Sequence, residues 1–290
     1  MNTGSAWGAP VCKGSAAMVV AKQRLDTLLA ERGLFPSRSR AAASVMAGEV
    51  RVGSDERRAA KPGELVDEAE LLRVTERPQF VSRGGIKLAN ALAASGLEVR
   101  GRRALDVGAS TGGFTDCLLQ RGAVSVIAVD VGYGTLAWNL RTDPRVVVLE
   151  RTNARDLTPE MLPSEPSGLG GPPDLATIDV SFISLSKVLP AVLGCLPGGY
   201  DVLALVKPQF EVGRGRVGKG GVVRDPAERR AALVAVGESA TALGARVLGY
   251  HSSGLPGPKG NRESFIWLSG RPSDPAGART LDELAREVEP

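Results

Sequence analysis

The stretch "DVGASTGGFTD", Asp106 to Asp116, decides the fold. It continues the apolar residues Ala104 and Leu105, turns through glycines, and enters a segment of helical length. A buried strand that breaks on glycine and restarts as a helix is the repeating unit of a parallel sheet covered by helices. The rhythm recurs downstream, with strands predicted at Ala104 to Gly108, Val124 to Asp130, Arg145 to Leu149, Asp174 to Val180 and Asp201 to Val206. Each is apolar and followed by a helix-length segment, so the class is α/β with a doubly wound sheet. The best marked helix is "RDPAERRAALVAVGESATALG", with Asp225 as cap, Pro226 at the first position and Glu228 placed to complete a capping box. After it come "ARVLGYHSSG" and "RESFIWLSG", two strand-like runs with no helix between them. They predict a terminal antiparallel hairpin.

Residues 23–82 have a different character. "RLDTLLAERG" has leucines at helical spacing and stops at Gly33, and "SRSRAAASVMAGEV" starts with a capping Ser37 and stops at Gly48. "EVRVG" alternates as a strand, and "KPGELVDEAELLRV" reads as a turn and a further strand. This is a small α+β unit with Arg24, Arg38, Arg40 and Arg51 on or beside its helices. Scattered arginines are often only a solvated surface. The remaining boundaries are an extension over 1–22, with Met18 as an alternative start, a second domain over 83–270 and a tail over 271–290. The extension and "PSEPSGLGGPP", Pro163 to Pro173, read as disordered by composition.

Composition excludes several functions. The 290 residues are 43% hydrophobic and 23% charged, an ordinary globular balance, and net charge +4 suits a polyanionic partner without demanding one. Uncharged runs such as that from Val188 are broken by Pro and Gly before they reach membrane-spanning length, and the N-terminus lacks the pattern of a secretory signal. Cys12, Cys117 and Cys195 are distant and odd in number, which argues against disulfides and fits a reducing cytoplasm. With His251 as the single histidine and no paired cysteines, no metal site is expected, and His251 reads as a partly buried polar residue near a strand end.

The turn chemistry points to an adenosine cofactor. A dinucleotide turn carries G-x-G-x-x-G for close approach to a pyrophosphate, whereas the run from Gly108 is G-A-S-T-G-G. Asp130 ends the next strand, where a carboxylate accepts ribose hydroxyls. Together with "VIAVDVG", the turn resembles the S-adenosylmethionine site of class I methyltransferases, whose Rossmann-like sheet also ends in a hairpin. The resemblance implies a cofactor site drawn from Asp106, Gly108, Ser110, Thr111, Gly112, Gly113, Phe114, Asp130 and Asn153. Gly108, Ser110, Gly112 and Phe114 would line its methionine end, Asp130 would hold the ribose and Asn153 would lie near the adenine.

Four further residues address the acceptor: Lys87 in "SRGGIKLANAL", Asp179 ending the fourth strand, Lys207 ending the fifth in "ALVKPQFE", and Glu263 beginning the last in "GNRESFIW". The set resembles the Lys-Asp-Lys-Glu tetrad of FtsJ-like ribose methyltransferases. "RLDTLLAERGLFPSRSRAAASVMAGEVRVG" resembles the S-four type of RNA-binding domain, and the order of motifs from Gln23 to Gly270 is similar to the TlyA family of rRNA (cytidine-2′-O)-methyltransferases. By that resemblance the substrate is cytidine in ribosomal RNA, of the small subunit alone or of both subunits; the expected location is the cytoplasm, and the oligomeric state is left open, with a monomer favoured. A ribose 2′-hydroxyl is a poor nucleophile, so its proton must be removed or polarised while it is aligned with the methyl group. Lys207 is the expected base, Lys87 the polarising group, and Asp179 and Glu263 the orienting partners. Arg83, Arg214, Arg216 and Lys219 join the four arginines above as expected RNA contacts, although "EVGRGRVGKGGVVRD" reads equally as a mobile loop closing over RNA phosphates and as a solvated linker. Phe182 in "DVSF" suits base stacking or core packing, and its apolar neighbours favour packing. The haemolysin label carried within the family, and a non-catalytic assembly factor, are the rival functions.

Overall fold

The structure, a computed structural model, describes residues 22–74, 79–162, 171–257, 259–272 and 279–289. Residues 1–21 of the predicted extension, and 163–170 of the predicted loop, lie outside them. The chain divides into two compact units, 1–77 and 78–290.

In the first unit, β1 (Lys22–Arg24) leads into α1 (Leu25–Glu31), which buries Leu25, Leu28 and Leu29, an i, i+3, i+4 face. Next, α2 (Arg38–Ala47) starts at Ser37, whose hydroxyl accepts the Arg40 N–H at 3.3 Å, and stops at Gly48 with φ +78°. Then come β2 (Val50–Val52), β3 (Arg57–Arg58), β4 (Leu65–Asp67) and β5 (Leu72–Val74). β1 pairs with β4, and β2 lies between β3 and β5, all antiparallel. The sequence shows only part of this, because strands of two or three residues carry no readable alternation.

The second unit opens with α3 (Arg83–Ser95) and continues through β6 (Arg103–Val107), α4 (Gly113–Gln120), β7 (Ser125–Val129), α5 (Trp138–Arg141), β8 (Val146–Leu149), β9 (Leu175–Ile178), α6 (Leu189–Gly194), β10 (Asp201–Val206), α7 (Pro208–Glu211), α8 (Pro226–Ala242), β11 (Arg246–Ser252), β12 (Ser264–Ser269) and α9 (Leu281–Arg286). The sheet order is β11-β12-β10-β9-β6-β7-β8. From β10 to β8 every pairing is parallel, and β12 runs antiparallel between β10 and β11, the predicted hairpin. Alternate residues fill two cores: Leu105, Val107, Val202, Ala204 and Val206 face one way, and Ala104, Leu203 and Leu205 the other. The chain leaves β6 for β7 on one side and returns to β9 on the other, so a crevice opens at the carboxyl ends of β6 and β9.

One expectation is corrected and one is extended. Asp225 does cap α8, accepting the Ala227 N–H at 2.9 Å, but Glu228 turns away from the cap and pairs with Arg216 at 3.2 Å. The tail, Pro-rich and then mildly helical by composition, carries no assigned role in the sequence. It forms α9, opened by a capping box between Thr280 and Glu283, and buries Leu284 and Ala285. No described helix is long and apolar enough to cross a membrane.

Candidate active site

The glycine turn after β6 is shaped by what it must clear. Gly108 adopts φ +86°, and a Cβ there would stand 2.5 Å from the backbone oxygen of Asp179, so any side chain would strike the end of β9. Ser110 also takes positive φ, +49°, and its N–H donates to Asp130 Oδ2 at 2.8 Å. The N–H of Gly132 donates to Oδ1 at 2.7 Å. Two backbone donors thus fix the Asp130 carboxylate, and each oxygen keeps a lone pair for a hydroxyl. Gly108, Ser110, Asp130, Thr152 and Asn153 line a cleft of about 840 Å³. Asn153 also caps the helical turn after β8, accepting the Arg155 N–H at 3.2 Å. The paired-oxygen acceptor at Asp130 fits the ribose of S-adenosylmethionine, and Gly108 stands in the wall of the same cleft.

Other expected cofactor residues lie elsewhere. Asp106 is fully buried behind the turn, where Thr115 and Thr177 donate to its two oxygens at 2.6 and 3.0 Å. Burial pushes its carboxyl up to about 6, against the pull of those hydroxyls. Phe114 is in the core against Phe265, with ring centroids 5.7 Å apart, and does not line the cleft. Gly112 and Gly113 are buried contacts too: a Cβ would meet the Leu140 side chain at 2.3 Å and Ser82 Oγ at 2.2 Å, respectively. Thr111 is exposed beside the turn. These positions shape the turn from behind, and sequence spacing does not separate that role from ligand contact.

The four acceptor residues converge. Asp179 follows β9 and Lys207 follows β10, so both stand at the carboxyl edge. Glu263 reaches the same edge because β12 is antiparallel: Val206 pairs with Ser264, which sets the residue before β12 beside the residue after β10. Lys87 comes from the buried face of α3, which Asn90 ties to the end of β11 by donating to the Ser253 oxygen at 3.0 Å. Lys87 donates to Glu263 in a short, buried contact. Lys207 Nζ lies 2.5 Å from Asp179 Oδ1 and directs its hydrogen bond to Ser181 Oγ at 2.9 Å. The two lysines and Glu263 are each at least nine-tenths buried, and burying such charges is tolerable because each cation has its anion. All four line a second cavity of about 660 Å³. Asp179, Ser181, Phe182, Gln209 and Phe210 border both cavities, so the Asp179–Lys207 pair stands at their junction, while Lys87 and Glu263 line the second cavity only.

Phe182 overturns its expected packing. It is 91% exposed, with φ +65°, and its ring lies 5.4 Å from that of Phe210. The turn after β9 throws it outward although its sequence neighbours are apolar. Sequence reasoning also passed over Ser181, Gln209 and Asn261, although the first two stand inside the motifs "DVSFIS" and "KPQFE". Glu211, the last residue of that second motif, accepts from Ser184 Oγ at 2.6 Å and from the Leu185 N–H at 2.9 Å, and burial raises its carboxyl. It thereby ties the element carrying Lys207 to the turn carrying Asp179.

Of the expected RNA contacts, Arg24 and Arg38 share Asp26, at 2.8 and 3.2 Å, with their guanidinium groups still about half exposed. That pair, the Arg24 hydrogen bond foremost, holds the buried Asp26 carboxyl down to about 2. Arg40, Arg83 and Lys219 are exposed, Arg51 is half-buried and Arg216 pairs with Glu228. The side chain of Arg214 lies outside the described residues. His251 lies in β11 beside Trp267 and lines neither cavity. Burial raises the thiols of Cys117 and Cys195 to about 12 and about 11, which leaves them unreactive.

Residues 80–270 match the FtsJ-like methyltransferase family, and residues 23–71 match the S4 domain. The 16S/23S rRNA (cytidine-2′-O)-methyltransferase TlyA of Mycobacterium tuberculosis is 50% identical over 92% of this chain and 97% of its own length. Hemolysin A of Brachyspira hyodysenteriae is 38% identical over 83% of this chain and 97% of its own. A solved structure from Streptococcus thermophilus, named as a hemolysin, shares 40% identity with a TM-score of 0.66, covering 93% of this chain and 96% of that one.

Proposed function

Because the chain belongs to the FtsJ-like methyltransferases of the TlyA type, with an S4 domain ahead of the catalytic one, we propose that it methylates the ribose 2′-oxygen of cytidine in ribosomal RNA, in the cytoplasm, from S-adenosylmethionine. The observation that carries the reading is the junction of the two cavities, where Asp179, paired with Lys207, borders the glycine-turn cleft and shares the second cavity with the Lys87–Glu263 pair. The cofactor, when bound, supplies an electrophilic methyl carbon on a sulfonium sulfur. Asp130 would receive its ribose hydroxyls, and Gly108, which lines the cleft, would face its methionine end. Lys207, once its ammonium has given up a proton to solvent, accepts the proton of the 2′-hydroxyl as the free amine, with Asp179 and Ser181 holding it in place. Lys87, steadied by Glu263, polarises the acceptor oxygen. Phe182, exposed at the mouth, offers an apolar face to the acceptor base. Arg24, Arg38 and Arg40 hold RNA phosphates and carry no base reading.

The test is transfer of labelled methyl from S-adenosylmethionine to 30S and 50S subunits lacking the modification. Label at a ribose 2′-oxygen, lost in Lys207→Ala, supports the reaction and the base, and the labelled subunit names the target. Positioned bases contribute about 10²–10⁴-fold, so near-normal turnover in Lys207→Ala would remove that role. The hemolysin names of relatives raise membrane lysis as the alternative. Lysis that survives loss of both Asp130 and Lys207 would favour it.

A further inference from the structure

The glycine-rich segment after α7 reads in the sequence as a closing loop or as a linker. In the structure it is a formed turn. The Gly218 N–H donates to the Val222 oxygen at 3.2 Å and the Gly221 N–H to the Gly218 oxygen at 3.0 Å, with Gly220 and Gly221 at φ +83° and +81°. Val217, Gly218 and Gly221 line the acceptor cavity. A Cβ at Gly218 would stand 2.9 Å from the Val222 oxygen, so the turn is closed tightly on itself.

One side chain ties this turn to the sheet. Asn261, 2% exposed, accepts the Val223 N–H at Oδ1, 2.9 Å, and donates Nδ2 to the Gly221 oxygen at 2.8 Å. Its own carbonyl accepts the Gly257 N–H at 2.9 Å. It stands two residues before Glu263, the partner of Lys87, and lines the same cavity. A buried amide with both ends committed to backbone holds a specific shape, since losing it strands a donor and an acceptor together.

We infer that Asn261 is a positioning residue: it holds residues 217–223 as a fixed wall of the acceptor cavity, in register with Glu263 at the entry to β12. The wall is preformed, and RNA meets it in place. This rests on the proposed methyl transfer to RNA.

The experiment compares wild type, Asn261→Ala and Asn261→Asp in steady-state methylation of subunits, cofactor binding, thermal melting and limited trypsin digestion after Arg216 and Lys219. Asn261→Ala is expected to keep cofactor affinity within about 2-fold while kcat/KM for the subunit falls by ~10-fold or more, the scale of a small misplacement at a reacting site. Trypsin should cut the segment faster. Asn261→Asp keeps the acceptor for Val223 but sets a carboxylate oxygen against the Gly221 carbonyl, so it should loosen the segment at least as far as Asn261→Ala in both readouts. The inference is overturned if Asn261→Ala methylates normally, if cofactor affinity falls in parallel with kcat/KM, or if activity falls with no change in cleavage of the segment. Should Asn261→Ala not fold, Asn261→Asp carries the same readouts. Absence of transfer by wild type would sink the functional reading instead.

Discussion

A single methyl group at Gly108 would disturb both cavities, because that glycine passes under the end of β9 where Asp179 begins its turn. Gly108→Ala would add the strain of left-handed backbone to a collision with a main-chain oxygen that has no rotamer to escape by. We expect loss of cofactor affinity and of turnover together, each by ~10-fold or more, in equilibrium binding and single-turnover assays; an alanine variant that binds and turns over normally would refute the close approach. Two buried aspartates show how partners set the sign of a pH effect. Asp106 has neutral hydroxyl partners, and its carboxyl is raised to about 6. The folded state therefore holds that proton more tightly than the unfolded chain, so stability falls as pH climbs from the ordinary carboxylate range through 6. Asp106→Asn should raise the melting temperature relative to wild type more at pH 8 than at pH 5. Asp26 has two arginines and is held down to about 2. Its contribution is present above the ordinary carboxylate range and is lost as pH falls toward 2. Asp26→Asn should lower stability at pH 7 by about 1–2 kcal/mol, allowing for screening at the half-exposed guanidinium groups, and this difference should fade in melts at pH 3 and below.

Among the elements, α9 matters beyond its six residues. Past its end, Glu289 is 3% exposed and pairs with Arg229 at 2.7 Å; Arg229 in turn donates to the Arg224 oxygen at 2.6 Å. The C-terminus thus braces the start of α8 just beyond the wall that Asn261 holds. Removing one member strands a buried charge, so Glu289→Ala should cost about 3–5 kcal/mol, whereas Arg229→Met with Glu289→Leu should recover most of that loss in thermal melts. Equal loss in the single and double variants would show that the charges themselves are needed. The capping box of α9 stood in the sequence as "TLDE". Its packing did not, because a short helix shows too few turns for a face to be read.

For the whole molecule, the proposed function divides the work between a first unit that holds RNA and a second that reacts with it. If the arginines of the first unit neutralise phosphates, subunit binding must weaken with salt, and replacing Arg24, Arg38 and Arg40 by glutamine should flatten the slope of log affinity against log salt by up to ~2–3. Cofactor affinity, set in the other unit, should not move. A slope unchanged by the three substitutions would place RNA binding elsewhere.

The sequence by itself determined the α/β sheet, the terminal hairpin and the glycine turn, because each is carried by local signals of strand periodicity and glycine at a turn, whereas the four acceptor candidates were legible only through the resemblance to a family. The tertiary structure alone decided which turn residues face the cleft. Asp106, Gly112 and Phe114 share a motif with Gly108 and Ser110, yet the first three point into packing and the last two into the cavity. It alone aimed Phe182 outward and joined Asn261 to Val223 across 38 residues. Direction and long-range pairing depend on how the sheet closes and on where its antiparallel strand is inserted, and neither is written in the spacing of residues along one segment.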